Sequence, residues 1–201
     1  MTVCLRAGTG TIIPLHLHRW RDHPNDAELA LLAGLADPVI DIGCGPGRLT
    51  TALAASGRVV LGIDPSHEAV AETAARGAPV LQRSVFDDLP GRGRWGAALL
   101  LDGNIGIGGD PVTLLGRLHD LLRPGGQALV EVEAPHQPTE ILTVRIEASG
   151  DGNGRCPAVG PWFPWATVGA DAIGGFAAMA GLDLLRLHTT DARWFATLGR
   201  R

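Results

Sequence analysis

The 201-residue sequence predicts a single α/β domain: a three-layer fold with a mostly parallel, seven-stranded sheet and one antiparallel strand near its edge. Three observations carry this expectation. Short apolar runs alternate with helical segments of 8–12 residues, the pattern of βαβ units. The runs are nearly all apolar instead of alternating, as strands buried on both faces of a parallel sheet must be. The last two runs, Leu182–His188 and Arg193–Leu198, lie close enough in sequence to pair as an antiparallel hairpin.

In chain order, Met1–Arg19 has no clean periodicity and reads as a loose arm, although alternation over Leu15-His-Leu-His18 also fits a half-exposed strand. Residues 25–33 start a helix with Asn25 or Asp26 as cap and Glu28 in the first turn, and Gly34 ends it. Residues 1–36 are expected to form an arm and helix covering the site. Val39–Ile42 is the first strand, Arg48–Ala55 a helix closed by Gly57, and Arg58–Ile63 the second strand. Ser66 caps a helix to Arg76, closed by Gly77. A weak third strand (Pro79–Arg83), a fourth (Trp95–Leu101), a helix (Val112–Leu122) and a fifth strand (Gln127–Val132) follow. Residues 134–169, rich in Pro, Gly and Trp, read as a substrate-side loop insertion, before a last helix over Asp171–Ala180.

The most informative stretch is Val39-Ile-Asp-Ile-Gly-Cys-Gly-Pro-Gly-Arg-Leu49, a strand that turns through three glycines into a helix. Such a turn brings bare backbone N–H groups and a helix N-terminus against a ligand. A dinucleotide turn places its third glycine at the sixth position, which is Arg48 here. The G-x-G-x-G spacing after Asp41 resembles the first motif of class I S-adenosylmethionine-dependent methyltransferases. The Arg123-Pro-Gly-Gly126 turn before the fifth strand is a second family-like feature. The resemblance runs over about residues 38–132 and implies a Rossmann-like methyltransferase fold with S-adenosyl-L-methionine as cofactor.

On that resemblance, Asp41, Gly43, Cys44, Gly45 and Gly47 wrap the amino-acid end of the cofactor. Asp41 suits a ligand carrying ammonium and sulfonium charges and would repel a pyrophosphate, though it can also brace the turn by accepting backbone N–H groups. Asp64, with Pro65 beside it, ends strand two, where a carboxylate can accept both ribose hydroxyls. Ser84, Val85 and Phe86 are expected at the adenine, with Asp87 as a rival and core packing as the plain alternative for Phe86. The loop from Asp102 to Pro111 holds four glycines, which suggests close approach to a ligand, and places Asp102 and Asn104 at the cofactor. It lacks the Asn/Asp-Pro-Pro-aromatic pattern of enzymes that methylate nucleobase or glutamine amino groups. No Asp-Asn pair follows strand five, so no metal is expected.

The acceptor is expected to be a small molecule, its reacting atom (O, N or C) unassigned. Glu133 and His136, just beyond strand five, and His18 are the candidate bases, set against the plainer reading of solvated side chains. Arg19-Trp20 and the aromatic wall of Trp162 and Trp165 are candidate substrate contacts, or else a packed lid. Enzymes that bind this cofactor without methyl transfer, such as cyclases, and a non-catalytic binding module remain alternatives. A net charge of −4 gives no general attraction for nucleic acid, and all seventeen basic residues are arginines. No apolar run approaches the ~20 residues of a membrane span, and no signal-peptide core is present, so a cytoplasmic protein is expected. Cys4, Cys44 and Cys156, odd in number and far apart, form neither a disulfide framework nor a zinc knuckle. The oligomeric state has no signature in the sequence.

Overall fold

The computed structural model describes residues 3–148 and 160–201. Among these the strands form two sheets. The larger contains β3 (Val39–Ile42), β4 (Val60–Asp64), β5 (Val80–Gln82), β6 (Trp95–Leu100), β7 (Leu122–Val132), β10 (Leu182–Thr190) and β11 (Arg193–Arg200), in the order β10-β11-β7-β6-β3-β4-β5. Pairing is parallel from β5 to β7, and β11 runs antiparallel to both β7 and β10. This is the predicted seven-stranded sheet with its one reversed strand. The strand order reverses direction at β3, which has β4 on one side and β6 on the other. The crevice beyond the carboxyl ends of β3 and β6 is therefore where a ligand is expected.

Alternation along β3 divides the core. Ile40 and Ile42 face a layer containing α5 (Pro111–Leu121) and α6 (Ile173–Met179), while Val39 faces α2 (Asp26–Ala33) and α3 (Arg48–Ala55). On α5, Leu114, Leu115, Leu118 and Leu121 recur at helical spacing and are fully buried. Each such leucine contributes ~1.5–3 kcal/mol in burial. α4 (His67–Ala75) starts at Ser66, whose hydroxyl accepts from Ala69 N as predicted. α3 and α4 both end just before glycines in the left-handed region, Gly57 at φ 79° and Gly77 at φ 79°. Among the described residues no helix is long and apolar enough to cross a membrane.

The smaller sheet departs from the sequence reading. β1 (Val3–Ala7), β2 (Ile12–Leu15), β8 (Glu140–Ala148) and β9 (Phe163–Thr167) form a four-stranded antiparallel sheet, order β2-β1-β8-β9. The supposed N-terminal arm and the supposed loop of residues 134–169 thus pair with each other, Val3 opposite Ala148 and Ala7 opposite Val144. That pairing joins segments about 140 residues apart, which no local pattern announces. Part of that predicted loop, residues 149–159 with Cys156, lies outside the described residues. Leu5, Ala7, Leu142 and Val144 form a separate apolar cluster, flanked by Phe163 and Trp165. The alternation predicted through His18 stops at Leu15, and a short helix α1 (Leu17–Arg21) follows.

Asn25 is the N-cap of α2: its Oδ1 accepts from Glu28 N at 2.9 Å, and Glu28 Oε2 accepts from Asn25 N at 3.2 Å. Asn25→Ala should lower the unfolding free energy by about 1 kcal/mol, measured by urea denaturation. A shift below ~0.3 kcal/mol would show that the reciprocal cap is dispensable.

Candidate active site

The predicted glycine turn opens onto a cavity of about 440 Å³ at the carboxyl ends of β3, β4 and β6. Gly43, Gly45 and Gly47 have φ of 68°, 55° and 84°, a region disfavoured for residues with a Cβ. Their surroundings differ. A Cβ on Gly43 would lie 2.8 Å from Asn104 Nδ2, and one on Gly47 would lie 2.6 Å from the Thr73 side chain. Gly45 has open space beyond its Cα. Two glycines thus let the protein close on itself, and the third leaves room in the cavity for a ligand's approach.

Side chains pin this turn. Asn104 Nδ2 donates to the carbonyls of Ile42 (2.9 Å) and Gly43 (3.0 Å). Thr73 Oγ1 donates to the Gly45 carbonyl at 2.8 Å. Asp64 accepts from Gly45 N (2.9 Å) through one oxygen and from Ser66 N (2.8 Å) through the other. Each oxygen retains a lone pair for a further donor. Burial pushes the Asp64 carboxyl above its usual value, opposed by those two N–H groups.

Asp41 is buried beneath the turn and accepts from Thr50 Oγ1 at 2.6 Å. Withdrawal from water is the main cause that raises its carboxyl to about 6, and the Asp102 and Asp64 carboxylates add to it. Cys44 fills a buried place under the turn, its thiol pushed up by burial and then by Asp41 and Asp64. On the far rim, Ser84, Val85 and Phe86 line the cavity, with Pro65 nearby. Phe86 is half exposed instead of being in the core, and its ring packs where a Cβ on Gly108 would be, 2.7 Å from Cζ. Ser84 Oγ accepts from Phe86 N at 3.2 Å, while Asp87 accepts from Ser84 N.

A second cavity, about 340 Å³, lies between the small sheet and the ends of β6 and β7. Trp20, Asp102 and Trp165 line both, so the two spaces adjoin. Glu133 opens onto the second cavity and has no side-chain partner among the described residues. Burial and then the neighbouring Glu131 carboxylate push its carboxyl upward. His16, Arg19 and Trp194 also line this space.

Other predicted residues lie elsewhere. His136 is 93% exposed, with φ 67°, and its ring faces Asp171 at 3.3 Å. His18 is exposed on α1, edge-on to His16 at 6.0 Å between ring centroids. Trp162 is exposed beneath the Arg145 guanidinium. None of these three lines either cavity, and all three are exposed to solvent. Gly103 keeps open space at the second cavity, but Gly106 and Gly109 serve internal packing. They admit the protein's own side chains and backbone: a Cβ on Gly106 would lie 2.3 Å from the Ala166 carbonyl, and one on Gly109 2.8 Å from Pro164. Asp102 borders both cavities, but its carboxylate faces guanidinium groups.

That carboxylate belongs to a network the sequence reading missed. Arg48 bridges Glu28 and Asp102 (2.8 Å). Arg193 bridges Glu28 (2.6 Å), Asp102 (3.1 Å) and Glu131. Arg19 reaches Asp102 at 2.6 Å and Glu28 at 3.4 Å. Glu131 Oε2 also accepts from Asp102 N at 2.6 Å. Burial alone would raise Glu28, yet hydrogen bonds from Arg193 and Arg48 outweigh it and hold the carboxyl below its usual value. Arg48, directly after the last glycine of the turn, was the available signal.

A family model described as a methyltransferase domain matches residues 17–157, about 70% of the chain. The chain belongs to this methyltransferase family. Solved structures of similar fold include an S-adenosylmethionine-dependent methyltransferase from Bacteroides fragilis in complex with S-adenosylhomocysteine. It is 19% identical at a TM-score of 0.76, covering 98% of this chain and 87% of the other. The 1,6-didemethyltoxoflavin N1-methyltransferase of Burkholderia thailandensis is 20% identical, TM-score 0.66, covering 92% and 83%. A sugar N-methyltransferase from Streptoalloteichus is 18% identical, TM-score 0.67, covering 92% and 91%. No curated protein matches the chain.

In this methyltransferase, Arg48→Met should cost ~3–5 kcal/mol of stability, because it leaves three carboxylates facing two guanidinium groups. Urea denaturation checks this, and a loss under 1 kcal/mol would mean that Arg193 and Arg19 suffice for these carboxylates.

Proposed function

We propose that this chain transfers a methyl group from S-adenosyl-L-methionine to a small-molecule acceptor, the cofactor in the larger cavity and the acceptor in the smaller. The observation that carries the reading is the shared wall of Trp20, Asp102 and Trp165, which lets two ligands meet end to end. The residues fit the cofactor. Gly45 leaves open space at the turn, and Asp64 has lone pairs available for ribose hydroxyls. Ser84, Val85 and Phe86 form the rim suited to adenine, and 440 Å³ is within the ~300–1,000 Å³ of small-molecule sites. When bound, the cofactor supplies the electrophilic methyl group.

The protein's own work is alignment, exclusion of water and charge placement. Alignment of nucleophile and methyl carbon can lower the barrier by several kcal/mol. Trp20 and Trp165 hold the acceptor against the junction of the cavities. Glu133 is placed to take a proton from it. The raised Glu133 carboxyl makes it a better base than a glutamate at its ordinary value. The buried Asp41 carboxylate favours positive charge at the turn.

Two outcomes are expected. Asp64→Ala should weaken S-adenosylhomocysteine binding 10- to 100-fold by calorimetry, and unchanged affinity would place the ribose elsewhere. Asp41 has its folded carboxyl raised to about 6 against 3.8 unfolded, so the folded protein holds the extra proton between these values. Stability from this group is therefore greatest at low pH and falls as pH rises through 6. A cationic ligand reverses the preference and favours the ionised form. Affinity for S-adenosylmethionine should fall as pH drops below about 6, and Asp41→Asn should flatten that dependence; an identical profile in both proteins would exclude Asp41 as its source.

A further inference from the structure

Resting on the reading that the smaller cavity takes the acceptor, we propose that this cavity selects planar organic cations, namely aromatic compounds bearing an amine, and rejects carboxylates and phosphates. The argument is a charge balance. The charged and titratable groups facing the cavity are His16 before α1, Arg19 on α1, Asp102 after β6, Glu131 and Glu133 on β7, and Arg193 on β11. The lining contributed by β1 and β9 adds no charge. Arg19 and Arg193, with Arg48 behind them, are matched against Glu28, Asp102 and Glu131 by ion pairs among these six residues. Arg193 uses Nε and both terminal nitrogens on these carboxylates. With His16 counted as neutral, what remains is Glu133, a carboxylate with no side-chain partner among the described residues.

An anionic ligand would meet that unbalanced negative charge with every facing guanidinium already neutralised. A cation would complete the balance in a space partly removed from water, where the attraction is stronger than in bulk. The walls agree. Trp20, Trp165 and Trp194 surround the space together with Leu5, Ile13 and Val132, and indole faces attract organic cations. The elevated Glu133 carboxyl adds a chemical use. The carboxylate takes one proton from the bound ammonium, which frees the nitrogen lone pair. That pair forms the N–C bond as the methyl–sulfur bond breaks and its electrons stay on sulfur, and the product leaves as a methylated ammonium.

Calorimetry on protein saturated with S-adenosylhomocysteine, at pH 8 and low salt, tests this with three indoles of one shape. These are tryptamine (cationic), indole-3-ethanol (neutral) and indole-3-acetate (anionic). Tryptamine should bind at least tenfold more tightly than indole-3-acetate, with indole-3-ethanol between, and Glu133→Gln should shrink that difference to threefold or less. Equal or tighter binding of indole-3-acetate, a preference unchanged in Glu133→Gln, or no binding by any of the three would overturn the proposal. Protein that fails to bind S-adenosylhomocysteine would instead refute the underlying assignment of the two cavities.

Discussion

Three arginines and three carboxylates, interlocked at the ends of β6, β7 and β11, are the constraint on which the rest of this structure depends. Glu28 is 5% and Arg48 4% exposed, so each charge would be strongly unfavourable alone. The guanidinium fork can address two carboxylates at once, which an ammonium cannot do with the same rigidity. Arg48 and Arg193 both exploit this. The network joins α1, α2, the helix after the glycine turn, β7 and the edge hairpin, so the borders of both cavities are held by one set of charges. Its opposite signs also cancel, which gives the solitary Glu133 its weight.

Close backbone approach is the second constraint. Gly43 and Gly47 let Asn104 and Thr73 clamp the turn from either side, while Gly45 stays clear. Gly106 and Gly109 let the small sheet seat Trp165, Ala166 and Pro164 directly against the segment after β6. The same seating positions Trp165 at the junction of the two cavities. A glycine that reads as a ligand contact in sequence thus makes room for an indole that borders both cavities.

The two proposed ligand spaces differ in how they treat charge. The larger has the buried Asp41 and the half-buried Asp64 at its glycine turn, where an ionised carboxylate is costly without a cation. The smaller has a neutralised floor, aromatic walls and one exposed carboxylate. Both contain a carboxyl group raised above its usual value, Asp41 by full burial and Glu133 by partial burial and the neighbouring Glu131 carboxylate.

What the sequence determined by itself was whatever local periodicity encodes. The larger sheet, its edge hairpin, the Ser66 cap, a cap at Asn25 or Asp26 and the glycine turn with Asp41 and Asp64 each occupy contiguous residues whose spacing matches a strand, helix or turn. What only the tertiary structure decided depends on contacts distant in sequence. The pairing of Val3–Ala7 with Val144–Ala148 and the convergence of Arg193 on Glu28 across 165 residues have no periodic signature. The placement of His136 and Trp162 away from the cavities belongs here as well. A residue's type can announce that it is able to carry charge or a proton. Where its side chain points, and whether its charge is already cancelled, follows only from the folded neighbours.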